Sequence, residues 1–262
     1  MDRQISTLPL ATLRLCPTTI HSFRNPNAVR HQTLHRIQRF LAMISFLSLL
    51  SILLISLHRT GYNVSNLRQL IPPGTFGTLF NRQIAIVSGH AGYDPGAVCL
   101  GEAGTVTLTE SAVNATMAEA VRQQLRRRGV NVLLLEEFDE RLEALEADLL
   151  VSLHADSCID ASGYKIAYAS RAEVILAGEK LEYCFTQHYA VITELTLHAD
   201  TITHGMTNYH AFRRVAPTTP AIILEMGFIG GDQQLLQQRP NTVARGITAS
   251  IRCFFESEQA TR

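Results

Sequence analysis

Two histidines and two glutamates stand where apolar segments of this chain end or where a helix is expected to begin. They are His90, Glu110, His154 and Glu225. Two imidazoles and one carboxylate are enough to hold Zn²⁺ while leaving one coordination position open for water. A further carboxylate nearby could move the protons of a hydrolytic reaction. These residue types predict a hydrolytic zinc site, provided that the fold brings them together.

The two histidines follow apolar segments that are typical of buried strands. His90 comes after residues 84–87, and His154 comes after residues 148–153. In open α/β sheets, ligand sites form beyond the carboxyl ends of the strands. We therefore expect both imidazoles at one edge of a sheet.

The two glutamates occupy different settings. Glu110 would lie in the first turn of a helix predicted over residues 107–128, capped by Thr107 or Thr109. Glu225 interrupts an apolar segment that begins at residue 221. A carboxylate there is costly to bury without a partner, a metal or a chemical task. Glu110 alone would be an ordinary acid at a helix terminus, whereas the position of Glu225 indicates a functional residue.

Strand-like and helix-like segments alternate from residue 83 onward. This alternation predicts an α/β fold, a single domain with a central mixed, mostly parallel sheet flanked by helices. The predicted catalytic domain covers residues 83–256, and a short tail follows at residues 257–262. A short helix is expected at residues 137–146, mostly helical structure over 171–195, and a terminal amphipathic helix at 241–255.

Four ordered motifs within this domain resemble one known family. They read GHAGYDPGA, TLTESAVN, SLHAD and PAIILEMGF. Together they resemble the zinc-dependent N-acetylmuramoyl-L-alanine amidases, cell-wall hydrolases with an Amidase_3 type catalytic domain. The resemblance implies that His90, Glu110 and His154 ligate zinc and that Glu225 is the catalytic acid and base.

Four positions depart from the family pattern. Val87 stands where the family often has Asp, Ala91 replaces a Gly, Ser111 a Lys and Asp156 an Asn. None of these changes removes an implied ligand or the implied acid and base. Loss of the Asp is expected to weaken the outer-shell support of the metal.

The resemblance implies hydrolysis of the amide bond between N-acetylmuramic acid and L-alanine in peptidoglycan. Two other interpretations stay open: a non-catalytic wall-binding or regulatory module on the same fold, and a zinc amidase or peptidase with another amide substrate. An activator protein is also left open, and the sequence does not identify one. Beyond residue 40 the chain holds 17 basic and 22 acidic residues, which gives no reason to propose nucleic acid as a partner.

An uncharged segment of 18 residues, 40–57, follows six arginines in the first 40 residues. Its length and flank predict a transmembrane signal anchor at the cell membrane, with a cytoplasmic basic tail at residues 1–39. Residues 58–82 would then be a linker, and the catalytic domain would lie on the extracytoplasmic side. A cleaved signal peptide and a buried helix of a soluble domain are the alternatives.

The chain has five cysteines and no CxxC pair, so thiolate zinc ligation is not expected. Cys16 would lie inside the cell and the other four outside. We interpret these four as small buried residues, with a bridge between Cys99 and Cys158 as the alternative.

Overall fold

The computed structural model describes residues 26–59 and 77–259. They belong to two separate compact units, the first of which contains helix α1, Pro26–Arg59. The predicted segment 40–57 falls within α1, although the side chains of residues 53, 54 and 57 lie outside the described part. Within the described residues, no helix is both long enough and apolar enough to cross a membrane. The predicted transmembrane anchor is therefore not confirmed. Most of the predicted basic tail and linker also lies outside the described residues.

The second unit alternates strands and helices, as its sequence predicts. Its strands are β1 Gln83–Ser88, β2 Val98–Leu100, β3 Val106–Thr109, β4 Asn131–Leu135, β5 Leu149–Asp156, β6 Lys165–Tyr168 and β7 Ala221–Phe228. Its α-helices are α2 Glu110–Arg126, α3 Ile175–Cys184, α4 Ala190–Thr193, α5 His204–Thr207, α6 His210–Arg214, α7 Gln233–Gln238 and α8 Pro240–Gln259. A π-helical turn, Phe185–Tyr189, joins α3 to α4.

Five of these strands form one sheet in the order β4-β1-β5-β7-β6. Strands β4, β1, β5 and β7 run parallel to one another, and β6 at the edge is antiparallel to β7. Strands β2 and β3 form a separate antiparallel pair. This confirms the predicted α/β domain with a central mixed, mostly parallel sheet. The carboxyl ends of four neighbouring strands consequently meet at one edge.

Both faces of the sheet are covered. Successive residues of a strand point to opposite sides, so each strand contributes side chains to two cores. In β1, Ile84 and Ile86 belong to the core beneath the long helices α2 and α8, whereas Ala85 and Val87 belong to the core on the other face. The second core is closed by the short helices α5 and α6 and by neighbouring loops. Since β1 is buried on both faces, its sequence is an apolar run without alternation.

Two predicted helices are shorter in the structure. The helix predicted from residue 107 begins at Glu110, because residues 106–109 form β3 and pair with β2. The Thr109 side chain caps the helix by accepting from the Ala112 N–H at 3.4 Å. The helix predicted over residues 137–146 is reduced to a single 3₁₀ turn, Glu140–Leu142.

The preferred interpretation of the cysteines is wrong. Cys99 pairs with Cys158, and Cys184 pairs with Cys253. The Cα atoms lie 5.3 Å and 5.8 Å apart, within the range that a disulfide spans. The first bridge ties β2 to the loop after β5, and the second ties the end of α3 to α8. Pairings of this kind depend on packing between distant segments, which spacing along the chain does not reveal.

Candidate metal and catalytic site

His90, Glu110 and His154 converge at the carboxyl edge of the sheet. One ligand-type atom from each lies within 4.8 Å of the other two, and the group could hold a metal ion. The Nε2 of His90 is 3.2 Å from Oε2 of Glu110, and the Nδ1 of His154 is 3.0 Å from Oε1. Glu110 and His154 are buried, and His90 is partly exposed. The site is therefore open on the His90 side.

His90 lies in the turn after β1 and adopts a left-handed backbone conformation with a φ of 63°. Such a φ is uncommon outside glycine, although histidine is among the residues that adopt it more readily. The ring is oriented by Asp94, whose Oδ1 is 2.5 Å from Nδ1. This contact leaves Nε2 facing Glu110.

Glu110 is the first residue of α2, where the helix dipole favours a carboxylate. Its oxygens accept hydrogen bonds from the backbone N–H of Ala97 at 3.0 Å and of Ala155 at 3.2 Å. The amide of Asn114 also donates to it at 3.3 Å. These contacts fix the carboxylate between the two imidazoles.

The electrostatics of the three groups are coupled. Burial by itself lowers the pKa of His154, but hydrogen bonds to Glu110 and Glu137 outweigh it and raise that pKa to about 10. Burial favours a higher pKa for Glu110, yet the hydrogen bonds from His154 and His90 hold it well below its usual range. Hydrogen bonding to Glu110 raises the pKa of His90. The carboxylate is thus charged, and a bound cation would displace protons from the imidazoles.

Glu225 lies on β7 directly opposite His154 of β5 in the strand register. Its Oε2 is buried and has no hydrogen-bond partner among the described residues. Burial raises the pKa of Glu225 to about 7, with a further increase from the charge of Glu110 and an opposing effect of His154. A carboxyl group that titrates near neutral pH can both accept and donate a proton.

Glu137 is a buried residue of this site that the sequence analysis did not select. Its carboxylate contacts His154, Tyr209, His210 and the backbone of His90. It follows β4, the strand beside β1, so its position after a strand is a signal for it, but the same residues also suit the start of the helix predicted over 137–146. His210, whose Nε2 is 2.7 Å from Oε1 of Glu137, was not selected either.

Two glycines let the ligand groups approach the backbone closely. A Cβ on Gly89 would lie 2.5 Å from the ring of His154, and one on Gly96 would lie 2.6 Å from Oε2 of Glu110. Real Cβ atoms essentially never come within 3.0 Å of another heavy atom. The glycines of the GHAGYDPGA motif therefore leave room for the ligand side chains.

A surface cavity of about 400 Å³ lies between the segment that follows His90 and the segment that follows β4. Its lining includes the aromatic side chains of Tyr93 and Phe138, whose ring centroids are 4.6 Å apart. Phe138 stacks in turn on His210 at 4.4 Å. These contacts connect the wall of the cavity to His210, which hydrogen-bonds to Glu137.

The sequence of residues 84–253 matches the Amidase_3 family, described as N-acetylmuramoyl-L-alanine amidase. The chain belongs to this family. It is therefore an N-acetylmuramoyl-L-alanine amidase, an enzyme of cell-wall hydrolysis. The match includes all four residues selected from the sequence.

Two solved structures resemble this amidase in fold, and one further protein resembles it in sequence. The catalytic domain of CwlV, an N-acetylmuramoyl-L-alanine amidase from Bacillus (Paenibacillus) polymyxa var. colistinus, is 25% identical with a TM-score of 0.51, covering 67% of this chain and 98% of that one. The N-acetylmuramoyl-L-alanine amidase of Clostridium difficile 630 is 18% identical in sequence, with a TM-score of 0.52. The match covers 68% of this chain and 98% of that one. The uncharacterized protein YqiI of Bacillus subtilis (strain 168) is 26% identical over 184 residues, which is 63% of this chain and 83% of that protein.

The residues of this amidase fit a zinc ion. Two imidazoles and one carboxylate form the donor set of catalytic zinc sites that keep a position open for water. The Oε2 of Glu225, on the neighbouring strand, is buried without a partner among the described residues, and a carboxylate of this kind fits the acid and base that such a site needs. At Gly89 and Gly96 the backbone leaves space for the side chains of His154 and Glu110, two of the three candidate ligands.

Proposed function

We propose that this amidase uses zinc to hydrolyse the amide bond between the lactyl group of N-acetylmuramic acid and L-alanine of the stem peptide in peptidoglycan, in cell-wall remodelling or turnover. The observation that carries the proposal is the convergence of His90, Glu110 and His154 opposite an unpartnered Glu225. The family supports an amide of peptidoglycan as the substrate.

The three converging residues would hold the metal, with Glu110 providing the negative charge between two neutral imidazoles. Zinc, when bound, supplies a Lewis acid that polarises a carbonyl oxygen and lowers the pKa of water to about 7. The Asp94 carboxylate keeps the His90 ring oriented, and the hydrogen bonds to Ala97 and Ala155 keep Glu110 in place. The chain thus presents a preformed donor set.

Glu225 would move the protons of the reaction. Its carboxylate takes a proton from the attacking water as the water oxygen bonds to the lactyl carbonyl carbon. It returns that proton to the alanine nitrogen as the carbon–nitrogen bond breaks. The products are a free lactyl carboxylate and a stem peptide with a free L-alanine amino group. A pKa near 7 suits both transfers.

We also propose that the enzyme acts on the extracytoplasmic side of the cell membrane. Disulfides persist in oxidising compartments and are rare in the cytosol, and this domain carries two. Anchoring through residues 40–57 remains a prediction of the sequence. Cysteine labelling of the full chain in intact cells tests the location. A domain whose cysteines are reduced and reachable only after lysis would contradict it.

Incubation of the full chain with purified peptidoglycan, followed by mass analysis of the soluble products, tests the function. We expect stem peptides that begin with L-alanine, released in the presence of zinc and not after chelation. The Glu225→Gln variant should release none while retaining the metal. Sugar fragments or cut cross-bridges as the main products would instead favour a hydrolase of another specificity.

A further inference from the structure

We propose that Glu137 is the positioning residue of the metal site. Its one buried carboxylate fixes the backbone of His90 and the ring of His154, the two candidate ligand histidines. Its Oε2 accepts the backbone N–H of His90 at 2.8 Å and lies 3.4 Å from Nε2 of His154. The two histidines come from different strand ends, and Glu137 from the end of a third strand joins them. The inference rests on the proposed function, since it assigns Glu137 a role at that metal.

The contact to His90 stabilises an unfavourable backbone. A non-glycine residue in the left-handed region persists only where its surroundings hold it there. The N–H of His90 points to Glu137, so this carboxylate takes part in holding the turn that presents the imidazole. A charge-assisted hydrogen bond of this kind is stronger than one between neutral groups.

The contact to His154 selects its tautomer. The hydroxyl of Tyr209 donates to Oε1 of Glu137 at 2.7 Å, so its oxygen is free to accept from Nε2–H of His154 at 3.2 Å. Glu137 and Tyr209 both require a hydrogen on Nε2. In the neutral ring that metal binding requires, the Nδ1 lone pair then faces Glu110, where the metal would bind. Outer-shell carboxylates orient metal-binding histidines in this way.

Glu137 is itself fixed by its other partners. The Nε2–H of His210 donates to Oε1 at 2.7 Å, and the ring of Phe138 stacks on His210. The side chain of Glu137 is only 6% exposed. A carboxylate so deeply buried is costly unless donors surround it, and here the donors come from the turn after β1, from β5 and from the segment that begins α6. Hydrogen bonds from His154, His210 and Tyr209 overcome its burial and hold the pKa of Glu137 well below its usual range.

The test compares Glu137→Gln with Glu136→Gln in the full chain. Glu136 is the exposed neighbour, so the second variant makes the same change of charge outside the network. Zinc affinity is measured by competition with a chelator. We expect Glu137→Gln to bind zinc about 10- to 100-fold more weakly, the usual cost of losing an outer-shell partner. Glu136→Gln should bind as the wild type does.

Two further measurements separate positioning from general destabilisation. The visible spectrum of the cobalt-substituted chain reports the ligand geometry, and Glu137→Gln should change it while Glu136→Gln does not. Tyr209→Phe, which keeps the ring and removes the hydroxyl, should change it in the same direction to a smaller extent. Thermal unfolding of the metal-free variants shows whether each is folded. If Glu137→Gln does not fold, the zinc affinity and cobalt spectrum of Tyr209→Phe test the positioning role instead.

The outcomes distinguish this inference from the proposed function. Unchanged zinc affinity and cobalt spectra in folded Glu137→Gln and Tyr209→Phe would overturn the positioning role, while zinc-dependent release of stem peptides by the wild type would leave the function intact. A wild-type chain that binds no zinc would overturn both.

Discussion

Gly89→Ala should damage the metal site through a single steric contact. The new Cβ would lie 2.5 Å from Cε1 and Nε2 of His154, whereas ordinary van der Waals contact begins near 3.4 Å. The imidazole must therefore move by about 0.9 Å, because atoms this close repel strongly. Glu110 and Tyr209 hold the ring from both of its nitrogens, at 3.0 Å and 3.2 Å. The ring cannot make room without losing one of these contacts.

A shift of this size is large for a metal ligand, since ligand distances at such sites are defined to about 0.2 Å. Misplacement by about 1 Å can cost about 100-fold in rate, or about 2.7 kcal/mol in the activation barrier. We expect Gly89→Ala to lower stem-peptide release at least about 100-fold and to weaken zinc binding. Both are measured on the full chain, by mass analysis of the products and by chelator competition.

Gly205→Ala is the matched control. Its Cβ would meet only Oγ1 of Thr203, at an ordinary 3.5 Å, and the residue lies in α5. The backbone of Gly89 is outside the positive φ range, so alanine introduces no conformational strain at either position. Gly89→Ala with the zinc affinity and turnover of Gly205→Ala would refute the proposed place of the His154 ring in the site.

Three further predictions concern Glu225 and one disulfide. Glu225→Gln should retain zinc by elemental analysis but lose about 10²- to 10⁴-fold in turnover, because only proton transfer is removed; unchanged turnover would leave Glu225 a structural acid. The same variant, without metal, should be more stable to urea than the wild type above about pH 7, by up to about 3 kcal/mol. Burial raises the pKa of Glu225 to about 7, so the folded chain binds more protons than the unfolded chain and loses stability as pH rises; an equal gain near pH 4 would contradict this. The double variant Cys184→Ser, Cys253→Ser opens a bridge between residues separated by 69 positions. It should lower the free energy of unfolding by about 4 kcal/mol, and full stability in urea would show that the bridge constrains little.

The strand-end argument explains why the central residues of the site could be selected from the sequence. His90 follows a short apolar run, and Glu225 interrupts another. Short buried strands of a parallel sheet bring their carboxyl ends to one edge. Glu110 was selected for another reason, since a threonine cap and helical spacing place it in the first turn of a helix, although the helix starts three residues later than predicted. Periodicity and sheet topology were sufficient at these positions.

Other features depend on contacts that periodicity does not encode. Glu137 follows a strand in a run of acidic residues that also suits a helix start, and its partners Tyr209 and His210 lie more than 70 positions away along the chain. The Cys184–Cys253 bridge depends on α3 lying against α8. The β2–β3 pair was missed because three- and four-residue strands leave little pattern.

The identity of the broken bond tests the account most directly. The full chain, loaded with zinc, is incubated with purified peptidoglycan in water enriched in heavy oxygen, and the products are sequenced by mass spectrometry. The account predicts stem peptides with an unlabelled, free L-alanine amino terminus and glycan strands that carry one heavy oxygen in the lactyl carboxylate of N-acetylmuramic acid. Heavy oxygen in a peptide carboxylate or on a sugar carbon, or release that continues unchanged after the zinc is removed, would contradict it.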